Sequence, residues 1–177
     1  VIVQIETERL RLREYTPGDF YLVAELLGDA TTMAHWPAPM DEESARAWLE
    51  RALSDYAVPG FGRLAVELKN GAFIGDAGIV RNVIRGRAEN DLGYIIHHRF
   101  WQRGYGMEAA QALLQRGHRL GLERIVANMA TSNRPSVRVA ERLGMRLECV
   151  FANPRNRQLE TRLYVSTEAT AGAGPRQ

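Results

Sequence analysis

The stretch Arg99-Phe100-Trp101-Gln102-Arg103-Gly104-Tyr105-Gly106-Met107-Glu108-Ala109-Ala110 decides the fold. Before it stands Leu92-Gly93-Tyr94-Ile95-Ile96, an apolar run that reads as a buried strand. After it, Met107, Ala110, Leu113, Leu114 and Gly117 recur at helical spacing from about 107 to 120, and Gly121 is a left-handed stop. A strand thus leads through a loop with two glycines into a helix N-terminus. Glycines let a backbone approach a ligand closely and take positive φ. The free N–H groups of a first helical turn, with the helix dipole, favour an anion. Arg99 and Arg103 add positive charge. Together these suit a pyrophosphate, although a plain structural turn fits the same residues equally well.

Two other phosphate motifs compete. A P-loop needs Gly-x-x-x-x-Gly-Lys-Ser/Thr, which this chain lacks. Gly104-x-Gly106-x-x-Ala109 matches the dinucleotide fingerprint, but the residues HHRFWQR separate strand from glycine where a tight turn is needed. Glu123 also lies before the next strand rather than at its end, where a ribose would need it.

Working upstream, Leu64, Val66 and Leu68 alternate into Asn70-Gly71, a strong hairpin signal. Residues 72–80 return as a central strand, and 81–88 (RNVIRGRA) read as a basic turn. Nearer the start, residues 9–15 alternate as a half-buried strand. Thr16-Pro17-Gly18-Asp19 opens a helix with Phe20, Val23, Ala24 and Leu27 on its apolar stripe. Asp41 caps a second helix carrying Ala45, Trp48, Leu49, Ala52 and Leu53, and the loop between them, 29–40, holds His35-Trp36-Pro37. Downstream, 124–130 is a strand, Pro135 starts a short helix that Gly144 ends, and strands follow at about 146–151 and 159–166. These elements make one mixed α/β domain over residues 1–166. The tail, 167–177, has almost no large apolar residue and is expected to be disordered.

The 177 residues carry a formal net charge of +2, which gives no reason to expect nucleic acid or an anionic membrane as partner. No apolar run approaches membrane-spanning length, and the start lacks a basic stretch followed by an apolar one, so a cytoplasmic protein is expected. Cys149, flanked by Leu147, Val150 and Phe151, reads as a buried core thiol. His97 and His98 show no spacing to a carboxylate cluster, so no metal is expected.

Five segments in register now carry a resemblance. They are Thr7-Glu8-Arg9-Leu10-Arg11-Leu12-Arg13, Asn70-Gly71-Ala72-Phe73-Ile74-Gly75, Asp91-Leu92-Gly93-Tyr94, the loop Trp101 to Gly106 with Glu108-Ala109, and Asn133-Arg134-Pro135-Ser136 with Glu141-Arg142-Leu143-Gly144-Met145. In this order they resemble the GNAT acetyltransferase superfamily, within it the ribosomal-protein N-terminal acetyltransferase branch, over about residues 5–166. Trp101 departs from the superfamily's usual Arg or Gln. The resemblance implies a mixed, mostly antiparallel sheet of about seven strands, splayed between the fourth and fifth and flanked by about four helices. It implies acetyl-CoA as cosubstrate, with the pantetheine arm along Tyr94, Ile95 and Ile96. The phosphates would lie against Trp101, Gln102, Arg103, Gly104, Tyr105, Gly106 and Met107.

Acetyl transfer requires a neutral amine, and a free lysine titrates near about 10.4 and an α-amine near about 8. It also requires donors aimed at the thioester carbonyl and a proton for the departing thiolate. Ser136 is the candidate acid, with Asn133 positioning the pantetheine; both also suit a helix entry. Backbone N–H groups near Ile95 are the candidate carbonyl donors. Asp91 and Glu89 are candidate bases, beside the alternatives of a water chain or a plain surface carboxylate. His35 and Trp36 lie where the branch shapes its acceptor pocket. The acceptor would be a small-molecule amine or a protein N-terminus. A non-catalytic acyl-CoA-binding protein of the same fold is the alternative, and a homodimer is left open.

Overall fold

Leu10 and Leu12 are fully buried, and the strand they belong to, β2, spans Leu10–Arg13. Ahead of it Val3–Glu6 forms a further antiparallel strand, β1, too short for its alternation to stand out in the sequence. The computed structural model describes residues 2–58 and 61–167. It continues with α1 (Phe20–Gly28), α2 (Glu42–Asp55), β3 (Gly62–Leu68), β4 (Phe73–Ile84) and β5 (Arg87–Ile96). Then come α3 (Tyr105–Arg119), β6 (Arg124–Ala130), α4 (Arg134–Arg142), β7 (Arg146–Asn153) and β8 (Leu159–Thr167).

One sheet takes all eight strands in the order β1-β2-β3-β4-β5-β6-β8-β7. The sheet is mixed and mostly antiparallel, with one parallel neighbour pair, β5 and β6. Those two strands pair only at Asp91 and Val126 and part beyond that point, which is the expected splay. The extra strand at the N-terminus makes the total eight rather than about seven.

Local signals set most boundaries. Asp41 caps α2 by accepting from Ser44 N at 2.8 Å. Gly71, Gly121 and Gly144 take φ of 86°, 84° and 74° at the turns where glycine was expected. The basic turn at 81–88 is a correction: only Arg85 and Gly86 lie outside strands, both at positive φ, and Arg81–Ile84 and Arg87–Ala88 extend the hairpin. In Arg81–Ile84 the residues facing solvent are Arg81 and the apolar Val83, so the polar–apolar alternation of a half-buried strand is missing. Helix α3 starts two residues earlier than its apolar stripe. Of the expected tail, Thr167 closes β8, and 168–177 lie outside the described residues.

Helices cover both faces. On one, Ala109, Ala110, Leu113 and Leu114 of α3 pack on Leu12, Val66, Ile79 and Leu92. Beside them Val137 and Ala140 of α4 pack on Ala127 and Tyr164. On the other face Val23, Leu26 and Leu27 of α1 and Ala45, Leu49 and Ala52 of α2 pack on Ala65 and Ile95. Each fully buried leucine contributes roughly 1.5–3 kcal/mol.

Helix α3 lies close to the sheet because Gly117 has no side chain. A Cβ there would stand 2.6 Å from Ile125 Cδ1 and 2.8 Å from Ile79 Cδ1. Gly117→Val is therefore expected to lower stability by about 1–3 kcal/mol, since overpacking outweighs the helix-propensity gain of a few tenths. Urea unfolding should show a lower midpoint with an unchanged slope.

Candidate active site

The N-terminus of α3 is held by groups from the far end of the chain. Gly104 is its N-cap at φ 79°, and Glu108 N donates to Gly104 O at 3.0 Å. The N–H groups of Tyr105, Gly106 and Met107 precede that first intrahelical bond. Arg9, just before β2, donates from Nε to Glu108 Oε2 at 2.7 Å and from Nη1 to Arg103 O at 2.8 Å. Thr7 Oγ1 donates to Glu108 Oε1 at 2.6 Å. Burial alone would raise the Glu108 carboxyl, but the Thr7 and Arg9 hydrogen bonds outweigh it and hold it below the usual range. Thr7 and Arg9 stand in one segment of the sequence and Glu108 in another, and their contact spans about a hundred residues.

The two loop glycines do different work. Only Gly104 needs positive φ. Gly106 sits inside the helix, and its missing Cβ makes room for Tyr94, whose ring carbon would be 2.7 Å away. Gln102 also takes positive φ, at 61°, and Trp101 Nε1 donates to Ile96 O at 2.7 Å.

A cleft of about 710 Å³ opens where β5 and β6 part. On the side of α3 and α4 it is lined by Tyr94, Asn133 and Ser136. Tyr94 OH donates to Ser136 Oγ at 3.3 Å, and burial pushes the Tyr94 phenol up, so it stays protonated. Asn133 caps α4 by accepting from Ser136 N at 3.4 Å, as a helix entry would, while still lining the cleft. His97 N donates to Ile74 O of β4, so by strand alternation Ile95 also faces β4. Tyr94 and Ile96 then present their backbones to the open edge. Ile95 is buried at 4% exposure among α1 and α2 residues. The N–H groups at the open edge near Ile95 are therefore those of Tyr94 and Ile96, while that of Ile95 itself faces β4.

On the side of α2 the cleft carries His35, Trp36, Trp48, Arg63 and Asp91. Trp36 and Trp48 pack edge to face, 5.8 Å between centroids. Asn156 Nδ2 donates to His35 O at 2.7 Å and ties the loop over α2 to the loop after β7. Asp91 accepts from Asn82 Nδ2 at 3.2 Å and from Asn128 Nδ2 at 3.1 Å. Burial pushes its carboxyl up, against the lowering by Asn82, Arg63 and Asn128. Asn82, Asn128 and Arg63 carried no motif in the sequence; strand register alone brings them to Asp91.

Glu89, the other candidate base, is elsewhere. It is 6% exposed and bound by both Nε and Nη2 of Arg124 at 2.9 Å. Cys149 is half-buried rather than a core residue, and Arg85 Nη1 lies 3.3 Å from its sulfur; it does not line the cleft. The outer strand β7 exposes Leu147 and Val150, which removes the expected apolar cover. The fold also brings Asp29 to the two histidines, with candidate ligand atoms of Asp29, His97 and His98 within 4.8 Å of one another. His98 Nδ1 and Asp29 Oδ1 stand 2.8 Å apart, and hydrogen bonds from Thr32, then His98, hold Asp29 well below the usual carboxylate range. Sequence spacing could not show this group, since Asp29 lies 69 residues upstream of His98.

Residues 9–146 match the model of the acetyltransferase (GNAT) domain. The chain belongs to the GNAT acetyltransferase family. It is similar to the uncharacterized N-acetyltransferase YnaD of Bacillus subtilis (strain 168), 32% identical over 152 residues, 84% of this chain and 86% of YnaD. Among solved structures it is similar to the acetyltransferase from Agrobacterium tumefaciens str. C58, with TM-score 0.79, 28% identity, and 95% and 96% of the two chains covered. RimL, a ribosomal L7/L12 alpha-N-protein acetyltransferase solved with coenzyme A, shares the fold at 17% identity, TM-score 0.76, over 93% of this chain and 97% of that one.

In this GNAT protein the Arg9 clamp is half exposed, so its ion pair is worth at most about 1 kcal/mol. Arg9→Ala is expected to leave the melting temperature within a few degrees while raising amide hydrogen exchange across 101–106. Unchanged exchange there would show that the loop holds itself.

Proposed function

We propose that the protein is an acetyl-CoA-dependent N-acetyltransferase that transfers acetyl directly to a primary amine. The observation that carries the reading is the cleft at the β5–β6 parting, with a carboxylate, Asp91, on one side and a hydroxyl, Ser136 backed by Tyr94, on the other. The helix N-terminus at 104–107 would receive the pyrophosphate, and the open edge at Tyr94 and Ile96 the pantetheine amides. RimL, of the same fold, was solved with coenzyme A, which supports coenzyme A as the ligand of this fold.

The chemistry then uses this chain's residues in sequence. Asp91, or water held by Asp91, Asn82 and Asn128, takes a proton from the ammonium. The amine nitrogen attacks the thioester carbonyl carbon, its N–C bond forms, and the C–S bond breaks. The thiolate takes a proton from Ser136 Oγ, Tyr94 OH restores it, and the second proton that the nitrogen sheds as the amide forms goes to solvent, from which Tyr94 is reprotonated. Glu89 takes no part, since its carboxylate is spent on Arg124. Cys149 lies outside the cleft, which favours direct transfer over an acetyl-enzyme.

Acetyl-CoA is expected to raise the melting temperature well above the effect of NADH, as a ligand selective for the folded state must. Stabilisation without coenzyme A release on any amine would instead indicate a binding protein.

Two substitutions test the roles. Because burial raises Asp91, the acidic limb of the rate profile should lie above the ordinary carboxylate range, with activity lost as pH falls through it. Asp91→Asn should remove that limb and lower kcat/KM by roughly 10²–10⁴-fold, less if water substitutes. Ser136→Ala should lower kcat more than it raises KM for acetyl-CoA. A Ser136→Ala enzyme with unchanged kcat, or an acetylated Cys149 in mass spectra, would overturn these assignments.

A further inference from the structure

The cleft is unevenly charged. Among the described residues it is lined by one acid, Asp91, and by four arginines, Arg51, Arg63, Arg85 and Arg155. Three of the four are exposed and already committed. Arg51 Nη2 donates to Arg81 O, Arg85 Nη1 to Cys149 Sγ, and Arg155 Nη1 to Asn82 Oδ1.

Arg63 is different. Its side chain is 9% exposed, and Nε faces Asp76 Oδ1 at 3.1 Å. Its guanidinium lies over the Trp48 ring, 4.7 Å from the centroid. It reaches across the sheet to β5, where a Cβ on Gly93 would be 2.9 Å from Nη1. Asp76 is itself held by Tyr15 OH at 2.9 Å and Trp48 Nε1 at 3.1 Å, so the guanidinium is fixed from below. Neither Nη atom donates a hydrogen bond to a described residue, yet Arg63 lines the cleft and its Nη1 stands against Gly93, two positions along β5 from Asp91. Neither Nη is among the buried unpartnered atoms of the described residues, so both are open to a ligand in the cleft, where a carboxylate would make charge-assisted hydrogen bonds.

We propose that Arg63 receives a carboxylate of the acceptor, so that the amine acetylated here is one that carries an acid group. This rests on the acetyltransferase reading above. A planar guanidinium, oriented by an indole and an ion pair, matches a carboxylate bidentately. Asp91 then faces the ammonium of the same molecule. The arrangement disfavours polyamines and aminoglycoside-like cations, which would meet four arginines and one acid.

The test is competitive acetylation by the intact protein, with products quantified by mass spectrometry. Equimolar pairs exchange one carboxylate for a carboxamide: each amino acid against its carboxamide, with rates normalised to the neutral-amine fraction of each, and amidated peptides beginning Ser-Asp against Ser-Asn. Spermidine is included. A preference for the acid of at least about tenfold in kcat/KM is expected, the value of a charge-assisted hydrogen bond. The amino-acid arm reports a free α-carboxylate and the peptide arm an acidic residue beside an N-terminus. Arg63→Lys keeps the charge opposite Asp76 but removes the fork, and should cut the preference to about twofold without moving KM for acetyl-CoA. Equal use of acid and amide, preference for spermidine, or turnover of none of these acids overturns the proposal. Absence of any thermal stabilisation by acetyl-CoA defeats the acetyltransferase reading instead.

Discussion

The structure turns on one backbone pairing, Asp91 with Val126. Strands β5 and β6 run parallel and meet there, then twist apart toward their carboxyl ends. A continuous ladder would have satisfied every peptide group and closed the sheet. Parting leaves the N–H and C=O groups of Tyr94 and Ile96 facing open space, a state that demands a partner. Trp101 supplies one at Ile96 O from the loop itself. The same divergence sets the mouth of α3 beside the gap, because the strand that ends at Ile96 runs directly into the 101–107 loop. Cleft, open edge and helix N-terminus therefore share one cause.

A second constraint lies in the middle of the sheet. Gly78 and Gly93 stand opposite each other on β4 and β5, and Arg63 is opposite Gly78 on β3. Any side chain on Gly78 would strike the Gly62 carbonyl, and one on Gly93 would strike Arg63. The missing side chain on Gly93 leaves room that the Arg63 side chain fills, while Gly78 lets the backbone of β3 approach closely. The Arg63–Asp76 pair adds little net stability, since burying two charges costs about what their attraction returns. Its effect is positional: it places a guanidinium beside Asp91 and keeps α2, through Trp48, against β4.

Much was legible along the chain because its causes are local. The hairpin at Asn70-Gly71, the caps at Asp41 and Asn133, the stops at Gly121 and Gly144 and the stripe of α3 all follow from one residue's allowed φ or one side chain's reach. The family resemblance rested on such segments standing in order, and the 9–146 match agrees with it. Elsewhere the local signal is weak. Arg81–Ile84 places two polar residues before two apolar ones and so lacks a strand's alternation, and Cys149 has apolar neighbours in sequence but an exposed outer strand in space.

What the sequence by itself determined is the order of elements and the loop that precedes α3, since periodicity and glycine placement act over a few residues. Only the tertiary structure decided which carboxylate faces the cleft. Asp91 and Glu89 are two residues apart on one strand and chemically alike. Arg124, arriving on β6, neutralises Glu89, while Asn82, Asn128 and Arg63 surround Asp91 without pairing it away. That difference comes from the register of neighbouring strands, set by packing across the whole sheet, and no window of sequence around 89–91 contains it.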